Sequence, residues 1–372
     1  MIHIDKNKVP DSLYKVPVVL FGGGSTGKVI SRLLKKRNVE IKFFVDDDES
    51  KWGEKIDGTE IVSFDKFMKF CNSSSGIVPV VMASIYGKSI LNHIENISQV
   101  QIFEMYSWYC EEVNHKNSIL GIDDNNEIEK FKINTLYLES KWADKESACV
   151  LDGLYNYLVS KDINYISSIC TDKEQYFIPE VISAINEPLS IVDAGAYEGE
   201  LLHPIRKFNI ALDKWYCFEA DSSNYQRLLQ RKDKNGTGLK QVCINEGLWN
   251  EKKRIYFLKG DSASKIVDYE TGSSIETTTI DSFFQSGSIN FIKMDIEGAE
   301  YPALTGGINV IKRDRPVLAI SIYHSIEDFY KIPMYLMENL TGYKYYVRHH
   351  SLIFCETVLY AVPCGLENKQ EV

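Results

Sequence analysis

Residues 189–202 read LSIVDAGAYEGELL. Leu189–Val192 is a short apolar run of the kind that forms a buried parallel strand. Asp193 ends the run, Gly195 and Gly199 punctuate a tight turn, and a helix is expected from Glu200 to Ile205. Strand, glycine turn and helix make the first unit of a nucleotide-binding α/β fold, in which glycines let the backbone approach a ligand closely. A dinucleotide would set its pyrophosphate over the helix N-terminus, but Asp193 and Glu198 place negative charge at this turn. A ligand carrying an ammonium, hydroxyls and a purine suits it better. The same pattern also serves as a plain α/β turn with no ligand.

The chain has 372 residues, enough for two domains with substantial cores. Its net charge of −10 argues against nucleic acid or an anionic membrane as a partner. The short basic run Lys35-Lys36-Arg37 reads as a solvated helix end. Eight cysteines are scattered without a CxxC pair, so neither a zinc site nor a disulfide framework is indicated. The opening MIHIDKNKVP has no signal-peptide character and no apolar run is long enough to span a membrane. The expected compartment is the cytoplasm.

Working outward toward the N-terminus, VPVVLF at Val16–Phe21 reads as a strand and flows into Gly22-Gly23-Gly24-Ser25-Thr26-Gly27-Lys28 and a helical pattern. Gly22, Gly24 and Gly27 satisfy GxGxxG, and Asp46-Asp47-Asp48 follows the next strand, Ile41–Val45. A Walker A loop is excluded because Val29 stands where Ser or Thr should hold Mg²⁺. Residues 1–100 therefore read as a Rossmann-like nucleotide-binding or docking domain. Its ligand is left open between a nucleotide or nucleotide sugar, NAD(P), and none. In the last case the domain serves docking or oligomerisation, and a homo-oligomer is one form this could take. Residues 101–185 read as a helical connector, with Tyr176 just before the central strand as a lid or a packed aromatic.

Residues 186–372 read as a second α/β domain. Lys214–Phe218 is its second strand and ends on Glu219, roughly 20 residues past the glycine turn, where a carboxylate accepts hydrogen bonds from ribose hydroxyls. Ala220 follows, and Gly247-Leu248 lies where backbone and an apolar side chain can flank a purine. With the turn residues Asp193, Gly195, Ala196, Tyr197 and Gly199, these form the expected cofactor site, and S-adenosylmethionine has the chemistry to fill it. Strands at Asn290–Met294 and Val317–Ile322 end at Asp295 and at Tyr323-His324, and the carboxyl edge of such a sheet is where ligands bind.

The motifs IVDAGAYEGE, FEAD, GLWNE, TIDSFF, FIKMDIEGAEYPALTGG, LAISIYH and YVRHH occur in that order, and the resemblance they carry covers residues 140–362. Together they resemble the FkbM-type S-adenosylmethionine-dependent methyltransferases. The resemblance implies a class I methyltransferase fold, a seven-stranded sheet with one antiparallel strand, beside the Rossmann-like N-terminal domain. It also implies O-methylation of a sugar hydroxyl, as in surface polysaccharide or glycan biosynthesis, with a carbohydrate or nucleotide-sugar acceptor. The cofactor residues it carries over are Asp193, Gly195, Gly199 and Glu219. The chain departs from the family at Gly247, where many members have alanine.

Transfer to a hydroxyl needs a group to take its proton. His324 is the first candidate, since an imidazole titrates near neutral pH, and Asp295 is the second. Glu297, His349 and Tyr176 are candidate substrate contacts. Asp295, Glu297 and Glu300 are read as positioning substrate and favouring a helix N-terminus, without a metal. The competing readings are an NAD(P)-dependent enzyme acting on nucleotide sugars and a non-catalytic S-adenosylmethionine-binding protein.

Overall fold

The computed structural model describes residues 1–4, 9–85, 88–105, 124–185, 188–231, 240–258, 265–267, 270 and 274–365. The N-terminal strands are β1 (Ile2–His3), β2 (Val18–Phe21), β3 (Ile41–Val45), β4 (Lys55–Ile56), β5 (Thr59–Val62), β6 (Val78–Met82) and β7 (Val100–Glu104). They form one sheet in the order β1-β7-β6-β2-β3-β5-β4, parallel except for the β4–β5 hairpin. The sheet thus reaches Glu104, a little past the expected boundary. Every residue of β2 and of β6 is buried, as their unbroken apolar runs require.

The C-terminal half contributes β8 (Leu189–Ala194), β9 (Leu212–Phe218), β10 (Lys240–Ile244), β11 (Gly247–Leu248), β12 (Arg254–Leu258), β13 (Lys265–Val267), β14 (Ser274–Thr278), β15 (Phe291–Met294), β16 (Val317–Ser321), β17 (Tyr343–His349) and β18 (Thr357–Pro363). Seven of them form a sheet in the order β10-β9-β8-β15-β16-β18-β17. β18 runs antiparallel to both neighbours and the other pairs are parallel. This mixed sheet has the strand number and the single antiparallel strand that the resemblance implies. A smaller sheet, β11-β14-β12-β13, stands beside it.

The helices Asn125–Leu138 and Lys145–Ser160 are part of the C-terminal core. Their Phe131, Leu138, Leu151 and Leu154 belong to one buried cluster with Val192, Met294 and Ile320 of the sheet. Both start at an aspartate whose side chain accepts from the first turn, Asp124 from Asn126 N and Asp144 from Ser147 N. A buried arginine fixes the second: Arg348 Nη2 reaches Asp144 Oδ2 at 2.5 Å and Glu180 Oε1 at 2.8 Å. Among the described residues no helix is long and apolar enough to cross a membrane, and the seven cysteines described are all free.

β8 runs two residues beyond the expected end, through Asp193, because that carboxylate is neutralised inside the sheet. Lys293 Nζ on β15 lies 3.2 Å from Asp193 Oδ1, and Trp215 Nε1 on β9 donates to Oδ2 at 3.1 Å. The helix after the glycine turn accordingly starts later, at Leu202.

Candidate functional site

A cavity of about 1070 Å³ opens at the carboxyl ends of β8, β9 and β15. That is at the top of the usual range for ligand sites, roughly 300–1,000 Å³, and leaves room for two reactants. Its floor is the glycine turn. Gly195 has a φ of +73°, and a Cβ there would run into the Asp295 carbonyl oxygen. Lys293 Nζ donates to the carbonyls of Ala194 at 3.1 Å and Gly195 at 2.6 Å, so the ammonium that neutralises Asp193 also holds the turn.

Glu219 ends β9 and lines the cavity. It accepts from Tyr197 N and from Asp221 N, each at 2.8 Å, which ties the turn to the β9 end. Burial raises its pKa, and those two backbone hydrogen bonds oppose the rise. Asp193, Gly195, Ala196, Tyr197, Ala220, Gly247 and Leu248 line the same cavity. Gly199 does not. Its φ is +86°, and a side chain there would press on Leu228 and Trp215, so its place is behind the turn. Glu198 also differs from expectation. Arg227 and Arg231 hold its carboxylate at 2.7 and 2.5 Å, which removes that charge from the turn.

At the other end of the cavity stand Asp295, Glu297 and Tyr176. Tyr176 Oη donates to Asp295 Oδ2 at 2.9 Å, and Tyr323 Oη lies 3.2 Å from Oδ1. Burial, then the charges of Asp295 and Glu356, push the Tyr323 phenol well above its ordinary pKa, so it stays neutral.

His324 corrects the first expectation of a base. It does not line the cavity, and its ring lies 3.1 Å from Glu300 Oε1, 3.4 Å from Asp295 Oδ1 and 3.8 Å from Glu297 Oε2. Burial alone would lower its pKa, but Glu300, Asp295 and Glu297 outweigh burial and raise it to about 10. At neutral pH the ring is an imidazolium and has no lone pair to offer. Asp295, Glu300 and His324 are close enough together to surround a metal ion. Glu300 is fully buried and accepts from Ile296 N and Gly298 N at 2.7 and 3.0 Å, which holds the turn ahead of the helix Glu300–Thr305.

His349 corrects a second expectation. It is buried in β17 away from the cavity, with Nδ1 2.8 Å from Thr357 Oγ1, and burial lowers its pKa to about 4. It is a neutral core residue. Among the cavity residues that the sequence did not mark as site residues are Lys293, Tyr323, Glu356 and Gln175. Lys293 left a signal, a charge inside the otherwise apolar run FIKM. Gln175 and Glu356 meet only in the fold, where Gln175 Nε2 donates to Glu356 Oε2 at 2.7 Å.

Residues 193–345 match the family model of the methyltransferase FkbM domain. The match takes in the glycine turn, Glu219, Lys293, Asp295 and His324. Residues 14–71 match a second family model, C2185-like, N-terminal. The fold is similar to that of methyltransferase FkbM from Methylobacillus flagellatus KT, with a TM-score of 0.56 at 22% identity over 93% of this chain and 89% of that one. None of the curated proteins matches the chain.

Proposed function

We propose that the protein is an S-adenosylmethionine-dependent O-methyltransferase acting on a sugar hydroxyl, in surface polysaccharide or glycan biosynthesis. The observation that carries this reading is Glu219, a carboxylate at the end of β9 that lines the cavity beside the glycine turn and is bonded to it. The FkbM-domain match over the same residues supports it.

The donor set fits the cofactor. The Glu219 carboxylate suits ribose hydroxyls, while Asp193, held by Lys293 and Trp215, supports the turn from inside the sheet. Gly247, Leu248, Ile275 and Thr277 line the part of the cavity where a purine would lie. S-adenosylmethionine bound there would supply a methyl group on a good leaving sulfur. The protein's share is to orient the reactants, worth roughly 7–11 kcal/mol, and to take the acceptor's proton, worth about 10²–10⁴ in rate. We assign the proton to Asp295, which faces the cavity and is steered by Tyr176 and Tyr323. His324 acts behind it as a fixed cation. No metal enters this reading.

Calorimetry of the purified protein against S-adenosylmethionine, NAD(H) and nucleotide sugars tests it. S-adenosylmethionine should bind, and Glu219→Ala should weaken it about tenfold to a hundredfold, the loss of a charged hydrogen bond of roughly 1.5–3 kcal/mol. Glu219→Gln, which keeps the side chain's shape, guards against a folding defect. Undiminished affinity in both variants would remove Glu219 from the ribose. Activity should survive exhaustive chelation, and loss with EDTA restored by Mg²⁺ would contradict the metal-free site.

A further inference from the structure

Nine non-glycine residues among those described have a left-handed backbone, and four of them line the cavity: Tyr176, Tyr197, Glu297 and Glu356. Side chains adopt that conformation at a cost, which helix caps and turns bear and which also gathers at functional sites. Tyr197 sits at the glycine turn. The other three surround Asp295. Tyr176 and Glu356 both lie outside the FkbM-domain match, and Glu356, with a φ of +62°, is the one that the sequence did not mark as a site residue.

Glu356 closes the loop between β17 and β18, where His350 N donates to its carbonyl at 2.9 Å. Its carboxylate lines the cavity, receives Gln175 Nε2, and shares the Tyr323 hydroxyl with Asp295 at 3.4 Å. The middle of the same loop leaves the C-terminal half altogether. Leu352 and Ile353 are buried in the N-terminal core with Phe21, Phe67, Met82 and Leu91, and Leu352 N donates to the Ile85 carbonyl at 2.6 Å. One short loop is therefore gripped by the N-terminal sheet at its tip and carries a cavity carboxylate at its base.

We propose that Glu356 binds the acceptor, accepting from its hydroxyl or amine groups beside Asp295, and that the N-terminal domain positions it by holding Leu352 and Ile353. This rests on the methyltransferase reading above. It gives the N-terminal domain a part in the acceptor site whether or not its own glycine loop holds a ligand. The matching acceptor is a polyol or amino sugar with no anionic group near the reacting hydroxyl, because the carboxylates of Asp295, Glu297 and Glu356 would repel one.

The test uses the full chain, S-adenosylhomocysteine for the cofactor end, and tritiated S-adenosylmethionine with methyl glycosides of neutral, amine-bearing and carboxylate-bearing sugars for the acceptor end. Glu356→Gly removes the carboxylate and the backbone penalty together. Its thermal midpoint should hold or rise and its S-adenosylhomocysteine affinity should be unchanged, while kcat/KM for the neutral or amine-bearing glycoside falls about tenfold or more. A lowered midpoint would mark Glu356 as structural, and unaltered transfer, or equal transfer to the carboxylate-bearing glycoside, would equally overturn the assignment. Leu352→Ala should raise hydrogen exchange at residues 354–358 and the glycoside KM, with exchange at residues 195–199 unchanged. Wild-type exchange and KM in that variant would overturn the positioning role. Failure of the wild-type protein to bind S-adenosylhomocysteine would instead sink the methyltransferase reading itself.

Discussion

A buried imidazole among three carboxylates is a cation at neutral pH, and it ties stability to pH. The His324 pKa rises from an ordinary 6.5 to about 10 on folding. Between those values the folded chain holds a proton that the unfolded chain has lost. The stabilisation is therefore complete below about pH 6.5 and is lost as pH climbs toward 10, at up to about 1.4 kcal/mol per pH unit. His349 works in the opposite sense. Its folded pKa of about 4 means that it favours the folded state above pH 6.5 and loses that contribution as pH falls toward 4. Denaturant unfolding at a series of pH values should show the alkaline decline, and His324→Gln should flatten it. A decline that persists in the variant would deny His324 its charge. The sequence pattern of a strand ending in Tyr323-His324 could not distinguish the two side chains, because what decides between them is the approach of Glu300, Asp295 and Glu297. Past the end of β16, Tyr323 lines the cavity and the neighbouring His324 ring lies against Glu300.

At the scale of elements, apolar runs located the strands and the glycine turn well, since both depend on residues next to one another. Element ends were less visible. β8 continues through Asp193 only because Lys293, 100 positions along the chain, arrives from the neighbouring strand. That pair lies almost wholly inside the protein, with side-chain exposures of 8% for Lys293 and 1% for Asp193. Burial works against the ammonium, but Asp193 and Asp295 keep its pKa raised. Lys293→Met keeps the bulk and strands the carboxylate, and breaking a buried pair in this way costs about 3–5 kcal/mol. It also releases the carbonyls of Ala194 and Gly195. The variant should lose that stability in chemical denaturation and bind S-adenosylmethionine more weakly, while Lys293→Arg retains part of both. A Lys293→Met protein of undiminished stability would show that the pair contributes nothing net.

Across the whole molecule, the sequence separated two α/β halves because each opens on its own strand and glycine turn, but it could not show how they meet. The joint is made by Leu352 and Ile353, which look like ordinary C-terminal core residues until their cover proves to be the N-terminal sheet. Lys88 Nζ adds a hydrogen bond to the Ser167 carbonyl at 2.6 Å. Cutting the chain near Asn125 would expose that joint, so a point change in the N-terminal glycine loop is the cleaner probe of what the loop does. Gly22 and Gly27 are locked together by close backbone packing, and Gly23 N donates to Asp46 Oδ2 at 2.8 Å. Gly24 faces open space, with nothing within 4 Å of an added Cβ, so Gly24→Val should fold at the cost of a weaker helix cap, about 1 kcal/mol. Methyl transfer requires no hydride, and a second cofactor would be idle in the chemistry. A nucleotide-linked acceptor would gain from a remote handle, and such binding energy can be spent on orienting the reacting hydroxyl. Gly24→Val should therefore raise KM for that acceptor and leave S-adenosylmethionine affinity alone. NAD(H) carried through purification, with an absorbance change at the nicotinamide band on adding substrate, would show the loop to be a redox site instead.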